Sequence, residues 1–308
     1  MISKVKLTVQ LVTLLYCSNI HAQAKNDSTF DTSVLIPAYT KTHPKILFDQ
    51  AHNNYHRVDG TYASFAHVAE NDGYKIVVND SAITLKNLKN NKILVIANAK
   101  GPAGKAEQTP FADEECATIK AWVEKGGSLL LITDHYPFGP AVEKLAKQFN
   151  VEFQNGMLVD TVYFDKPSGD ESQIVYSKEN HLLPQNEITK GLAKVISFTG
   201  QSIKRDGTYI PLLQVSDNAQ DYSVEIKNEQ VGENTRTTVH YVNPVSAKGR
   251  CQAIAFNFGK GKVIVTGEAA MLSAQINGQG KPMGMNYPGA DNKQFVLNIL
   301  YWLSKSKF

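Results

Sequence analysis

The stretch 109–140, TPFADEECATIKAWVEKGGSLLLITDHYPFGP, restricts the fold more than any other part of the chain. Asp113, Glu114 and Glu115 open a helical pattern in which Cys116, Ile119 and Val123 recur on one face, and Gly126-Gly127 ends it. Acids in a first turn complement the positive end of the helix dipole, and glycine accepts the left-handed conformation of a C-cap. The run 128–133 is short and apolar-cored, as a strand covered on both faces must be. It gives way to Asp134 and His135, and Gly139-Pro140 starts a second helix with proline at a tolerated first position. Helix, buried strand, polar loop and helix make up the repeating unit of an open α/β sheet, where ligands sit at the carboxyl ends of the strands.

The rest of the chain extends that unit. Apolar runs at 45–48, 74–78 and 92–97 alternate with helical patterns, the first marked by Tyr62, Phe65, Val68 and Ala69 and closed by Gly73. This alternation predicts a parallel, doubly wound sheet with right-handed crossovers. After Phe149 the pattern changes. Runs at 151–154, 156–162, 212–215, 223–226, 237–242 and 251–258 read as short strands, the last two as an antiparallel, half-exposed layer. The polar segment 228–234 reads as a loop, and Gly259 to Gly261 as a tight turn into the strand 262–266. Asp291-Asn292 reads as the N-cap of a final helix bearing Phe295, Val296, Ile299, Leu300 and Leu303. The expected organisation is a polar lead-in at 25–43 and one α/β domain over 44–308, with a β-rich insertion at about 151–258.

The 308 residues are 42% hydrophobic and 20% charged, enough for a core and unlike a disordered chain. Residues 1–24 have the form of a secretory signal. Lys4 and Lys6 precede an apolar run at 7–16 too short to span a bilayer, and Ala22-Gln23-Ala24 fits a small-x-small cleavage site. Subtracting those two lysines from a formal charge of +3 leaves +1. No basic run marks a nucleic-acid footprint, and no later segment is apolar enough to span a membrane. Cys116 and Cys251 sit in apolar patterns and read as core residues rather than a disulfide.

The helix–strand stretch 111–132, FADEECATIKAWVEKGGSLLLI, resembles the class I glutamine amidotransferase-like superfamily. Its nearest likeness is to non-amidotransferase branches such as trehalose-utilisation-type domains. His181 followed by Ile188-Thr189-Lys190-Gly191-Leu192, and GKGKVIVTGEAAML followed by Asp291-Asn292, agree with that family in order. The resemblance covers about 44–303. It implies a flavodoxin-like, mostly parallel doubly wound sheet, here with an antiparallel β extension in the C-terminal half. Family members carry a nucleophilic cysteine in an elbow after the central strand. Here the position reads Thr133-Asp134-His135-Tyr136-Pro137, so glutamine hydrolysis is not expected.

Three strand ends carry polar groups: Asp49 with His52 and His56, Asp134 with His135, and Glu268. Parallel strands present their carboxyl ends on one edge, so these six are expected to converge in one pocket, with Asp49 and Asp134 closest. Three readings are open. The cluster could hold a divalent metal or supply a general base. It could orient a small polar ligand without chemistry. It could consist of turn formers and helix caps. No catalytic residue is assigned and no nucleotide cofactor is expected. The resulting expectation is an exported, periplasmic or extracellular ligand-binding or accessory protein, with carbohydrate or cell-envelope material suggested by family analogy. The alternative is an exported hydrolase using the Asp/His cluster. A small polar ligand or glycan is the expected partner.

Overall fold

A computed structural model of the protein describes residues 24–231 and 234–305. The expected signal at 1–24 lies outside the described residues, apart from Ala24. In chain order the first elements are β1 (Lys25–Asn26), β2 (Lys45–Asp49), α1 (Ala63–Asn71), β3 (Lys75–Asn79), α2 (Leu85–Leu88) and β4 (Ile93–Ala97). Next come α3 (Asp113–Glu124), β5 (Ser128–Ile132), α4 (Phe138–Lys147), β6 (Val151–Phe153), β7 (Met157–Asp160), β8 (Val175–Ser177), β9 (Lys194–Ile196) and β10 (Ile203–Arg205). The chain closes with β11 (Ile210–Gln214), β12 (Ala219–Val231), β13 (Asn234–Ser246), β14 (Cys251–Phe258), β15 (Gly261–Thr266), β16 (Ala274–Ile276), β17 (Pro282–Gly284) and α5 (Asn292–Ser304). A 3-10 turn covers Ala270–Leu272.

The molecule is a mixed α/β protein rich in sheet, with 19% of residues in helices. Its main sheet runs β3-β2-β4-β5-β15-β14-β10-β6, and β11 pairs with β14. From β3 to β15 every neighbouring pair is parallel, and from β15 onward every pair is antiparallel. The continuous apolar runs in β2, β4 and β5 follow from coverage of both faces, because successive side chains point to opposite sides. Ile46, Phe48 and Val95 share one core cluster with Phe65 and Val68 of α1 and Phe295 and Ile299 of α5. Leu47, Leu94, Ile96 and Leu129 share the other with Ile119 of α3 and Val142 and Leu145 of α4. Each fully buried side chain of this size contributes about 1.5–3 kcal/mol. Cys116 and Cys251 are buried, unpaired members of the second cluster, and burial pushes their thiols up to about 11 and about 12.

Three local expectations need correction. The segment 228–234 is not a loop throughout. β12 continues to Val231 and β13 begins at Asn234, forming a long antiparallel arm joined to β7 only at Ala219 to Tyr222. Its polar composition reads as loop because the outer part of the arm has no core to face. Strand β7 ends at Asp160, where the Asp160 carboxylate accepts the Val162 and Tyr163 amides and turns the chain. Asp291 occupies the N-cap of α5 without capping it through its side chain. Its Oδ2 instead accepts the amides of Ala193 and Lys194, at 2.6 and 3.0 Å.

Candidate functional site

Asp49 ends β2, and buried His52 lies three residues on. His52 Nδ1 is 2.8 Å from Asp49 Oδ2, and its Nε2 is 3.0 Å from Glu115 Oε1. The ring stacks on Phe111 with centroids 4.2 Å apart. Glu115 also accepts the Ile83 amide at 2.7 Å and reaches back to the Ala112 amide at 2.9 Å, the reverse half of a capping box at the start of α3. Burial pulls the imidazole down, but the hydrogen bonds and charges of Asp49 and Glu115 outweigh it and leave His52 above its ordinary value. Burial likewise opposes ionisation of Glu115, yet the two amides and His52 hold its carboxyl below the usual range. The arrangement is an imidazole clamped between two carboxylates that favour its protonated form, tying the β2 loop to α3.

A second network surrounds the end of β5. Asp134 Oδ1 accepts the His135 amide at 2.7 Å and the Thr199 hydroxyl at 3.1 Å. His135 Nδ1 is 2.7 Å from the Tyr136 carbonyl and 3.2 Å from the Tyr241 hydroxyl on the β-arm, whose ring meets the imidazole edge-on. Glu268 follows β15, is fully buried, and accepts the amides of Ala270 and Met271 at 2.7 and 2.8 Å, capping the 3-10 turn. Burial, and then the nearby charge of Asp134, raise the Glu268 carboxyl well above its ordinary value despite those amides. Tyr62 donates to the Ala269 carbonyl at 2.6 Å, and its phenol is raised by burial and by Glu268 and Asp134. His56 packs on Tyr62 with centroids 4.4 Å apart and contacts Thr61 Oγ1 at 2.7 Å; burial pushes it down to about 3, so it is neutral.

The six expected residues thus fall into two networks. Asp49 and His52 belong to one; Asp134, His135 and Glu268 belong to the other, with His56 against its Tyr62. No hydrogen bond or ion pair among the described residues links the two. Nor do any three His, Cys, Asp or Glu side chains among the described residues gather as a metal site would require. Glu115, Tyr62, Thr199 and Tyr241 were not anticipated as members. Glu115 alone had a signal, since an acid at the third position of a helix is the capping-box partner of the residue before it. Every carboxylate here accepts at least one hydrogen bond from within the chain.

The family model for the IFT52 GIFT domain matches residues 45–277, most of the chain. The chain belongs to the IFT52 GIFT domain family. Among solved structures, the mmIFT52 N-terminal domain is similar, with a TM-score of 0.59 at 15% identity over 85% of this chain and 99% of that one. A ThuA-like protein from Bacteroides uniformis has a TM-score of 0.41 at 14% identity over 87% of this chain and 95% of that one. An exo-beta-1,4-mannosidase from an Opitutaceae bacterium has a TM-score of 0.40 at 12% identity over 87% of this chain and 37% of that one. The first supports the fold; the other two are too distant to argue from. No curated protein matches the chain.

Membership of the GIFT family corrects the resemblance drawn from the sequence. The family is not the class I glutamine amidotransferase-like superfamily or its non-amidotransferase branch. The short motifs behind that reading describe a buried strand and its flanking helices, which different α/β families share. The family also overturns the functional expectations of an exported ligand-binding or accessory protein, an exported hydrolase and a glycan partner. It runs equally against the signal peptide and the periplasmic or extracellular location that were read from Lys4, Lys6, the run 7–16 and Ala22-Gln23-Ala24. No helix among the described residues is long and apolar enough to cross a membrane.

Proposed function

We propose that this GIFT domain is a protein-binding subunit with no chemistry of its own, working in a multi-protein assembly of the intraflagellar-transport kind for which its family is named. The observation that carries the reading is Leu35 and Ile36, consecutive large aliphatic residues 96% and 84% exposed. They border a groove of about 670 Å³ floored by Leu297 and Tyr301 of α5. Contiguous exposed apolar surface of this kind marks interaction sites. Covering both side chains would contribute about 3–6 kcal/mol, a substantial part of a micromolar contact. The test is the assembly itself. Tagged chain is expected to co-migrate stoichiometrically with a partner that cross-links to 33–38 or α5, and Leu35→Asp with Ile36→Asp should release it without unfolding the chain. Identical recovery with wild type and double variant would sink the reading.

Three finer readings accompany it. The parallel half is a flavodoxin-like doubly wound unit, supported by a strand order that runs second, first, third, fourth, fifth in sequence. The chain is one domain over 44–308 with a β-rich insertion at about 151–258 and a lead-in at 25–43. The six polar residues Asp49, His52, His56, Asp134, His135 and Glu268 hold loops in place at the sheet edge; substitutions there should cost stability before they cost partner binding.

A further inference from the structure

A second cavity, of about 830 Å³, shares no residue with either polar network. It is built by the loop 165–173, by β9 and the residues after it, and by the segment 277–288 around β16 and β17. Its volume falls within the range of small-molecule sites. Phe198 and Tyr287 meet edge to face in it, with centroids 5.4 Å apart, and Pro167, Pro282 and Pro288 add flat rigid walls.

The polar groups of this cavity divide sharply. Its acids are already used. Asp165, buried at 8% exposure, accepts the Tyr287 hydroxyl at 2.7 Å and the Ser168 amide at 3.1 Å. Asp170 Oδ1 accepts both the amide and the hydroxyl of Ser172, at 2.9 and 2.7 Å. Burial and the Asp165 carboxylate push the Tyr287 phenol up to about 12, so it stays a donor to Asp165. The cations make no hydrogen bond among the described residues, although a hydrogen bond from Ser177 and then the charges of Lys178 and Lys194 help hold the neighbouring Glu179 carboxyl below its usual range. Lys194 and Lys281 line the cavity, and neither ammonium has a hydrogen bond or ion pair among the described residues. Both are held by their backbones. Asp291 grips the Lys194 amide at 3.0 Å, and Asn277 Oδ1 grips the Lys281 amide at 3.0 Å. An ammonium that rises from an anchored backbone and makes no hydrogen bond of its own is available to an anion.

We propose that this cavity binds a monoanionic carboxylate carried on an aromatic or prolyl body, with Lys194 and Lys281 on the carboxylate and the Phe198–Tyr287 pair against the ring. The lining charges balance, two lysines against two aspartates, with Glu179 near Lys194. The two ammonium groups can meet one negative charge by direct contact, whereas the second charge of a dianion would face the carboxylates. The same chemistry is offered by a small aromatic acid and by the free C-terminus of a peptide ending in such a residue. The proposal is independent of the assembly reading, since it uses none of the Leu35–Ile36 surface.

Calorimetry on the full chain tests it with four probes: N-acetylphenylalanine, its amide, phenyl phosphate, and acetyl-Ala-Pro-Phe with a free carboxyl. The acid is expected to bind at least about tenfold more tightly than the amide, the scale of one charge-assisted hydrogen bond. Lys194→Met and Lys281→Met should each reduce the acid to the amide's level with the melting temperature unchanged, and Lys194→Arg should restore part of the difference. Equal binding of acid and amide, including no binding of either, overturns the proposal, as does tighter binding of phenyl phosphate. Tighter binding of the tripeptide than of the acid supports it with a peptide terminus as the source; equal binding supports it with a small acid.

Discussion

His52 spends both ring nitrogens on carboxylates, and that explains why it is buried. Removing the ring would leave Asp49 and Glu115 without the imidazole that bridges them. Breaking a buried pair in this way costs about 3 kcal/mol or more. His52→Ala should therefore lower the free energy of unfolding, measured by denaturant titration, by about that amount, whereas a loss below about 1 kcal/mol would mean that water replaces the imidazole. The pH dependence of stability should have two limbs. His56 titrates at about 3 when folded against 6.5 in the open chain. The unfolded state thus takes up a proton that the native state refuses, and stability that is full above 6.5 drains away as pH falls toward 3. His56→Phe should flatten the fall in melting temperature between about pH 7 and pH 4; an unchanged slope would assign acid sensitivity to other groups. Glu268 works in the opposite sense. Its raised folded value means that its contribution is present below the ordinary 4.5 and lost as pH rises through the raised value. Asp134→Asn removes the charge that helps raise it while keeping the Oδ1 acceptor, so melting temperature should decline less on the alkaline side than in wild type. The sequence placed Asp49 beside His52 at a strand end and marked Glu115 as a first-turn acid, but not their pairing. His52 and Glu115 are 63 positions apart, and only the fold brings them to 3.0 Å.

At the scale of elements, β2, β4 and β5 were legible because a strand covered on both faces must be apolar at every position. The β12–β13 arm was not. Ile226 pairs with Val239 and Val224 with Tyr241 on one face, while Glu225 pairs with His240 and Lys227 with Thr238 on the other. Two-residue alternation of this kind is present in the sequence, but short polar intervals around it read as loop. Ile226 and Val239 remain 45% and 43% exposed, so the outer arm has little burial to hold it. Hydrogen exchange should report this directly: amides of Ala219 to Tyr222, flanked by β7 and β13, should exchange more slowly than those of Glu225 to Asn228. Uniform protection along β12 would indicate that something covers the arm in solution. The arm also brings Tyr241 to His135, so shortening it between Ser223 and Val242 should raise the solvent accessibility of His135, measured by its rate of chemical modification.

For the whole molecule, the parallel arrangement was readable from the alternation of strands and helices, and the family was not. The sheet edge drew attention because polar residues follow apolar runs there, and such residues serve loop closure as readily as catalysis. The lead-in at 25–43 was read as polar, so the exposed aliphatic pair Leu35 and Ile36 within it passed unmarked. The central sheet carries one further consequence. β15 pairs in parallel with β5, yet the two lie at 261–266 and 128–132, with the whole β-rich region between them. During synthesis β5 must therefore wait with one side unpaired until almost the entire chain has left the ribosome. Over the 128 residues that separate Ile132 from Gly261, a nascent chain would present the open edge of a nearly all-apolar strand, the kind of edge that invites pairing with another chain.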